Sequence, residues 1–470
     1  MSAHPSETVP HVAPDARTRV LAALERFGWN ATSFQTLGSE FSYWFAADGS
    51  PVAYVDTGRA WVAAGAPIAP EALLGDVARE FAQAAKRAGR RVVFFATEHR
   101  AAGLPGFTSL LIGEQPLWDP REFDEVVSAT PSLREQLRRA RAKGVSVTLA
   151  DPREVAEHGA PLRRALEKLV DAWLATRPMP PMGFLVRVEP FTFAAERRLF
   201  VARRGEELVG FAAVVPVYAR NGWFIEDLIR SSSAPNGTVE ALVAAAMSDA
   251  SAQGSDYVTL GLAPLAGGVT DTLRFFARLG SPLYDFSGIK AFKAKFRPRE
   301  WVPIYLTYPS DERAETAVLD ALSAFSRRGL LRYGVEALLR GPAIVVRVLA
   351  LLLVPWTLVM AIGGGPRWFP SPVVKWSWIA LDVVLCVALL ALSSRWRSWL
   401  ATTLLVVIAL DAVTTLGEVV LCDVPRIDDW LAIAVVLASV AAPAFSTVVL
   451  WNARRRAERA RLGATPVALI

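Results

Sequence analysis

Residues able to do chemistry crowd into two stretches of the second half of the charged region. A strand-like run beginning at Val215 ends in an acid and a base three residues apart, Asp227 and Arg230. An aspartate there can hold an ammonium or orient a base, and an arginine can bind phosphate through two parallel N–H groups. On an unbroken strand a three-residue spacing sends the two side chains to opposite faces. They converge only if the strand breaks, as the Ser231–Ser233 run and Pro235 suggest. The plainer alternative is an ordinary salt bridge beside a turn. A Pro-Asn-Gly turn follows (Pro235, Asn236, Gly237), then an Ala-rich helix with Glu240 near its start, where an acid also suits the helix dipole. Further on, Lys293, Lys295 and Arg297 interleave with Phe292 and Phe296. That alternation can set cations beside an apolar, lipid-accepting wall, or it is a solvated basic loop.

A third basic group lies upstream. Arg134, Arg138 and Arg141 are spaced i, i+4, i+7 and so share one helix face. Polyanions, tRNA or anionic lipid headgroups, are drawn to such a face, and a merely solvated face is the alternative. The chain has 2 cysteines and 4 histidines, scattered and without metal-ligand spacing, so neither a disulfide scaffold nor a metal centre is expected.

These groups need elements to position them. Apolar residues make up 53% of the 470 and the formal net charge is +6, but the apolar excess is uneven. Residues 1–15 read as a disordered lead-in. Residues 16–150 and 151–310 read as two α/β units of alternating strands and helices, the second holding Asp227, Arg230 and Lys293, on a mixed-sheet α/β (α+β) plan. A linker at 311–341 leads to an all-α part at 342–452 and a basic tail at 453–470. Four segments there are apolar over the roughly 20 residues that a spanning helix needs: Pro342–Ile362, Val374–Leu392, Trp399–Leu421 and Trp430–Trp451. Arginines collect before the first, between the second and third, and after the fourth, which predicts that both ends face the cytoplasm. Asp382, Asp411 and Glu418 lie inside these segments, as glue between helices or as a polar track.

The order strand, turn, helix, strand across Val215–Gly267 resembles the way acyltransferases of the GNAT (N-acetyltransferase-like) architecture build a cleft between splayed strands. Five further stretches stand in the order of one family: Ala53–Pro70 (AYVDTGRAWVAAGAPIAP), Ile112–Pro120 (IGEQPLWDP), Leu137–Val147 (LRRARAKGVSV), Leu166–Phe184 (LEKLVDAWLATRPMPPMGF) and Tyr284–Pro309 (YDFSGIKAFKAKFRPREWVPIYLTYP). Residues 20–310 thereby resemble the cytosolic catalytic domain of the aminoacyl-phosphatidylglycerol synthases, the multiple peptide resistance factor family. The resemblance implies a tandem GNAT-like domain, followed here by a four-helix transmembrane domain. It also implies transfer of an amino acid from aminoacyl-tRNA to an anionic membrane phospholipid, most simply phosphatidylglycerol, with no cofactor. It gives Asp227 and Arg230 an active-site role. Lys293 joins them as a third catalytic candidate. Lys295, Arg297, Asn236, Gly237, Glu240 and Tyr284 are substrate-binding candidates, and Arg134, Arg138 and Arg141 are tRNA-binding candidates. The family usually carries many spans before this domain, some of them a lipid flippase. Here the apolar segments follow it, so flipping is not implied.

Two rivals stay open: an acyl-CoA-dependent lipid acyltransferase, and a non-catalytic GNAT-like membrane protein that binds lipid or a partner. Coenzyme A-dependent GNAT enzymes present a Gly-rich loop to the pyrophosphate. The matching loop here, RSSSAPNGTVE, has one glycine and a proline without an N–H, which disfavours the first rival.

Overall fold

The computed structural model describes residues 14–177, 182–270, 286–326, 342–363, 371–394, 397–419 and 430–463, with Leu273, Gly329 and Tyr333. Tyr284, the N-terminal lead-in to residue 13 and the arginines expected to flank the first apolar segment lie outside them. The chain divides into two compact units, one up to residue 330 and one from residue 331.

In the first unit the chain runs α1 (Pro14–Phe27), β1 (Ser42–Phe45), β2 (Pro51–Asp56), β3 (Ala60–Ala64), α2 (Leu74–Arg87), β4 (Arg91–Thr97) and β5 (Phe107–Trp118). Next come α3 (Phe123–Ala129), α4 (Pro131–Ala142), β6 (Val145–Leu149), α5 (Arg153–Ala156), α6 (Pro161–Ala175), β7 (Arg198–Arg204), β8 (Glu207–Val217) and β9 (Gly222–Arg230). It closes with α7 (Thr238–Ala252), β10 (Tyr257–Thr259), β11 (Ala263–Pro264), α8 (Phe286–Ala294), β12 (Glu300–Pro309) and α9 (Ala314–Phe325).

The strands join one mixed sheet in the order β1-β2-β3-β4-β12-β5-β10-β9-β8-β7-β6, with β11 paired to β5. Among the described strands, only the β3–β4 and β9–β10 pairs are parallel. The boundary drawn at residue 150 therefore falls inside a continuous sheet, and β12 lies between β4 and β5 although it follows β10 in the chain. β5 runs unbroken from Phe107 to Trp118. Gly113 and Pro116 read as breakers in isolation, but β12 on one edge and β10 and β11 on the other keep the strand paired through them, with a register shift against β12 at Ile112.

Helix faces follow the apolar spacing. In α2 the buried residues are Leu74, Val77, Ala78, Phe81 and Ala85, one stripe at helical period, packed over β2–β4. In α4 they are Leu133, Leu137 and Ala140, which turns Arg134, Arg138 and Arg141 outward. α4 and α7 cover one face of β6–β10, and α6 covers the other with Leu166 and Leu169.

The second unit contains α10 (Pro342–Gly363), α11 (Pro372–Ser394), α12 (Ser398–Glu418) and α13 (Trp430–Gly463). Among the described residues, Pro372–Ser393 and Ser398–Gly417 are long and apolar enough to cross a membrane; Val346–Ile362 is a shorter apolar helix. The inner side chains include Leu349, Leu385, Leu389, Leu404 and Leu450, while Val384, Leu410 and Val413 point outward. Asp382 is buried and accepts from Thr357 Oγ1 at 3.5 Å, and Asp411 accepts from Thr415 Oγ1 at 3.4 Å.

Candidate active site

The centre of the site is a β-bulge in β9. Asp227 pairs with Ala213 and Ile225 with Val214, so Glu226 is an extra residue with no cross-strand partner. A bulge of this kind re-aims side chains. Ile225 and Leu228 both join the core under α7, although they are three positions apart. Asp227 shares the opposite face with Ala213 and Ile229, whose core lies under α6. β9 does not break before Arg230, which pairs with Gly210 and returns to the α7 side. Asp227 and Arg230 therefore do not converge, and the acid–base pair expected from the turn signals is split across the sheet.

On the α6 side Glu226 forms a buried ion pair with Arg197 Nη1, and Arg197 Nε donates to the Thr192 carbonyl at 2.6 Å. Asp227 Oδ2 is buried and has no hydrogen-bond partner among the described residues. Burial first, and then the Glu226 charge, hold the Asp227 carboxyl well above the usual carboxylate range, against the pull of Arg197.

On the α7 side Arg230 Nη1 donates to the Ala234 carbonyl at 3.4 Å. Burial pulls its guanidinium down, with Glu240 opposing. Glu240 is buried in the first turn of α7 and forms an ion pair with Lys295. Arg230, Glu240 and Lys295 thus come together. Asn236 is exposed beside them, and Gly237 serves packing: a Cβ there would lie 2.1 Å from the Gln136 carbonyl oxygen of α4.

Lys293 lies where β9 and β10 part. Their pairing covers only Gly222–Phe224 against Tyr257–Thr259; β9 then runs on paired to β8 alone, while the segment after β10 stays with β5 as β11. Lys293 Nζ donates to the carbonyls of Leu260, Gly261 and Leu262 at 2.8, 3.0 and 2.8 Å, which clamps the parting strand. Burial pushes its ammonium down to about 7. The expectation of Lys293 and Lys295 side by side on an apolar wall is corrected here. The segment is the end of α8, not an extended run, so one amine turns into the protein and the other to Glu240. Arg297 is exposed.

An open cavity of about 630 Å³ lies on the α6 side, lined by Arg17, His158, Arg163, Glu167, Phe191 and Thr192 among others. Asp227 is not on its wall, but Thr192 links the wall to Arg197 and so to the carboxyl pair. Arg163 pairs with Glu167 at 2.9 Å and lies over the Phe191 ring. Around α4, Arg138 and Arg139 both pair with Glu135, and Arg134 and Arg141 are exposed.

Arg197 and Glu226 escaped the sequence reading, as did the buried Arg220–Glu98 pair at 2.6 Å, in which Arg220 also lies over Tyr257. Two adjacent acids at 226–227 are a weak signal of a bulge. Partners 29 and 122 residues apart leave none.

The sequence profile of the family described as phosphatidylglycerol lysyltransferase, C-terminal, matches residues 21–308. Phosphatidylglycerol lysyltransferase of Bacillus subtilis is 26% identical over 304 residues, 62% of this chain and 35% of that protein. The lysylphosphatidylglycerol biosynthesis bifunctional protein LysX of Nocardia farcinica is 26% identical over 293 residues, 59% of this chain and 24% of that protein. The chain therefore spans about a third or less of the length of these relatives. The crystal structure of the C-terminal DUF2156 domain of an Agrobacterium fabrum protein superposes with a TM-score of 0.56 at 25% identity, over 67% of this chain and 99% of that one. L-PGS from Bacillus licheniformis shares the fold, with a TM-score of 0.57 at 24% identity over 66% of this chain and 97% of that one. With its profile matched from residue 21 to residue 308, the chain belongs to the phosphatidylglycerol lysyltransferase C-terminal family.

Proposed function

We propose that this protein is a membrane-anchored aminoacyltransferase that moves an amino acid from aminoacyl-tRNA to phosphatidylglycerol. The observation that carries the reading is the splayed edge of β9 and β10 with the unpartnered Asp227 carboxyl beside it, in a chain of this family. The donor ester is already activated. A glycerol hydroxyl of the lipid attacks the ester carbonyl, the bond to the terminal ribose oxygen breaks, and that oxygen takes up a proton while the lipid hydroxyl loses one. The protein must hold the two reactants in register and stabilise the developing oxyanion. Asp227 receives the α-ammonium of the aminoacyl group. Arg230 and Lys295 supply positive charge for phosphate on the other side of β9. The exposed arginines of α4 meet the tRNA backbone.

The four-span arrangement, with both ends in the cytoplasm, is part of this reading. Its support is the arginine distribution, the two long apolar helices and the apolar outer surface of the second unit. The acyl-CoA rival is disfavoured by a packing observation: α4 backbone sits against Gly237 at the start of α7, where a pyrophosphate would need N–H groups. Mass spectrometry of lipids from cells with and without the protein tests the reading. The expected result is phosphatidylglycerol heavier by one amino-acid residue, formed in membrane extracts, abolished by RNase and untouched by acetyl-CoA depletion. The reverse pattern selects the acyl-CoA rival.

A further inference from the structure

Three features converge on Asp227. The bulge at Glu226 turns two consecutive carboxyls toward the same side of β9. One of them is fully compensated: Glu226 takes Nη1 of Arg197, whose Nε is held by the Thr192 carbonyl and whose guanidinium lies 5.3 Å from the Phe34 ring centre. The other, Asp227, is left with a buried, unpartnered oxygen. A buried carboxylate without a partner is costly, and a cationic ligand removes that cost on arrival.

We infer that Arg197 and Glu226 are a positioning pair that keeps Asp227 Oδ2 unpartnered for the ammonium group of the donor's aminoacyl moiety. The inference rests on the aminoacyl-transfer reading above. Arg197 is the cation whose charge acts on Asp227, and Glu226 and Thr192 occupy it, so it does not close onto Asp227. Among the described residues the other charged groups of this side are engaged elsewhere: Arg17 donates to the Gly38 carbonyl, His158 lies against Arg163, and Glu196 accepts from Tyr218. β8 presents Ala213, and α6 presents Leu166 and Leu169. The Arg163–Glu167 pair of α6 is satisfied within itself and by the Val155 and Ala156 carbonyls. In the segment before β7, Glu189 is taken by Ser39 and Arg187. Through Arg197 the pair also ties the carboxyl to the wall of the cavity, at Thr192.

The signature is a pH profile, which a purely structural pair would not move. Ionised Asp227 is the form that binds an ammonium, so kcat/KM falls as pH drops through the pKa of this carboxyl. Glu226→Gln removes a negative neighbour and frees the charge of Arg197, so the acid limb moves to lower pH. Arg197→Gln leaves Glu226 uncompensated, so the limb moves to higher pH. Full-length protein in phosphatidylglycerol vesicles is assayed with tRNA charged with a labelled amino-acid mixture. Shifts in opposite directions, each by about one pH unit or tenfold in proton concentration, are expected. A limb that stays in place, or that moves the same way in both variants, overturns the inference. If Arg197→Gln does not accumulate, Glu226→Gln decides alone: a shift to lower pH supports the pair, and an unmoved limb overturns it. Absence of transfer by the unaltered protein sinks the aminoacyl-transfer reading, and this inference with it. Normal transfer with an unmoved limb sinks this inference only.

Discussion

The two faces of β9 treat charge in opposite ways. On the α6 side two carboxyls and one guanidinium are buried, and one carboxyl oxygen goes without a partner. On the α7 side Arg230, Glu240 and Lys295 compensate one another at a half-open helix start. A single inserted residue separates the two arrangements. Without the bulge, strand alternation would set Asp227 and Arg230 on opposite faces all the same, but Glu226 and Asp227 would then be divided as well. The difference teaches that the acid and the base of the DLIR motif are not a pair. Each belongs to its own layer, one suited to meeting an ammonium and one to meeting phosphate.

The largest effect is expected on the buried side. Asp227→Ala should lower the transfer rate on the order of 10²–10³-fold, the usual loss when one preorganised charged group is removed from a dehydrated site. Its thermal midpoint should hold or rise, because the deleted carboxyl oxygen makes no hydrogen bond among the described residues. Rate and melting curve measured on one preparation separate the two effects. A near-native rate would move the chemistry off this face.

The next effect is on folding and concerns the packed side. Gly237 has φ +95°, and a Cβ there would lie 2.1 Å from Gln136 O and 3.1 Å from the Ala140 Cβ. Gly237→Ala should cost about 2–4 kcal/mol through backbone strain and overpacking. Gly205, also at positive φ but with nothing within 4 Å of its Cβ, is the control and should lose only about 1 kcal/mol on change to alanine. Denaturant midpoints that match in the two variants would mean that α4 is not seated on the start of α7. Arg230→Ala comes third. It should raise KM for the donor or the lipid about tenfold with a smaller change in kcat, since a half-buried arginine meeting phosphate contributes roughly 1.5–3 kcal/mol to binding. A fall in kcat alone would bring Arg230 back to the reacting centre.

Much of this fold could be read from the chain, and for physical reasons. The stripe of α2, with Leu74, Val77, Ala78, Phe81 and Ala85 buried, carries its burial in its own spacing. Three things did not travel in local pattern. β5 passes through Gly113 and Pro116 because strands on both edges hold it, and local breakers were overridden by pairing. Lys293 was legible as important but not as a clamp, since its acceptors are carbonyls 31–33 residues away and carry no side-chain signature. Arg197 meets Glu226 only through the sheet, and the bulge that aims Glu226 depends on the register of β8 against β9. Local chemistry named Asp227 and Arg230; long-range pairing set them on opposite faces of β9.

The smallest effect is expected farthest from β9, and it asks whether the polyanion side of the reading is on α4. Arg134, Arg138 and Arg141 share the outward face that Leu133, Leu137 and Ala140 leave free. Glu135 already engages Arg138 and Arg139, so the net positive charge of this face is less than its arginine count. Arg141→Ala should therefore be the cleaner probe, and Arg138→Ala the weaker one, because it also releases Glu135 toward Arg139. If the face meets the phosphates of tRNA, each lost contact should reduce the slope of log affinity against log salt by a little under one. The loss of affinity should then be largest at low ionic strength, where phosphate contacts contribute most, and shrink as salt rises. Donor KM measured across a salt series checks this, with Arg153→Ala as a comparison, since that exposed arginine is paired with Asp151 two residues away. Equal salt slopes for the unaltered protein and the Arg141 variant would take the tRNA off α4. The phosphate-binding role of the α7 side would then rest on Arg230 and Lys295 alone.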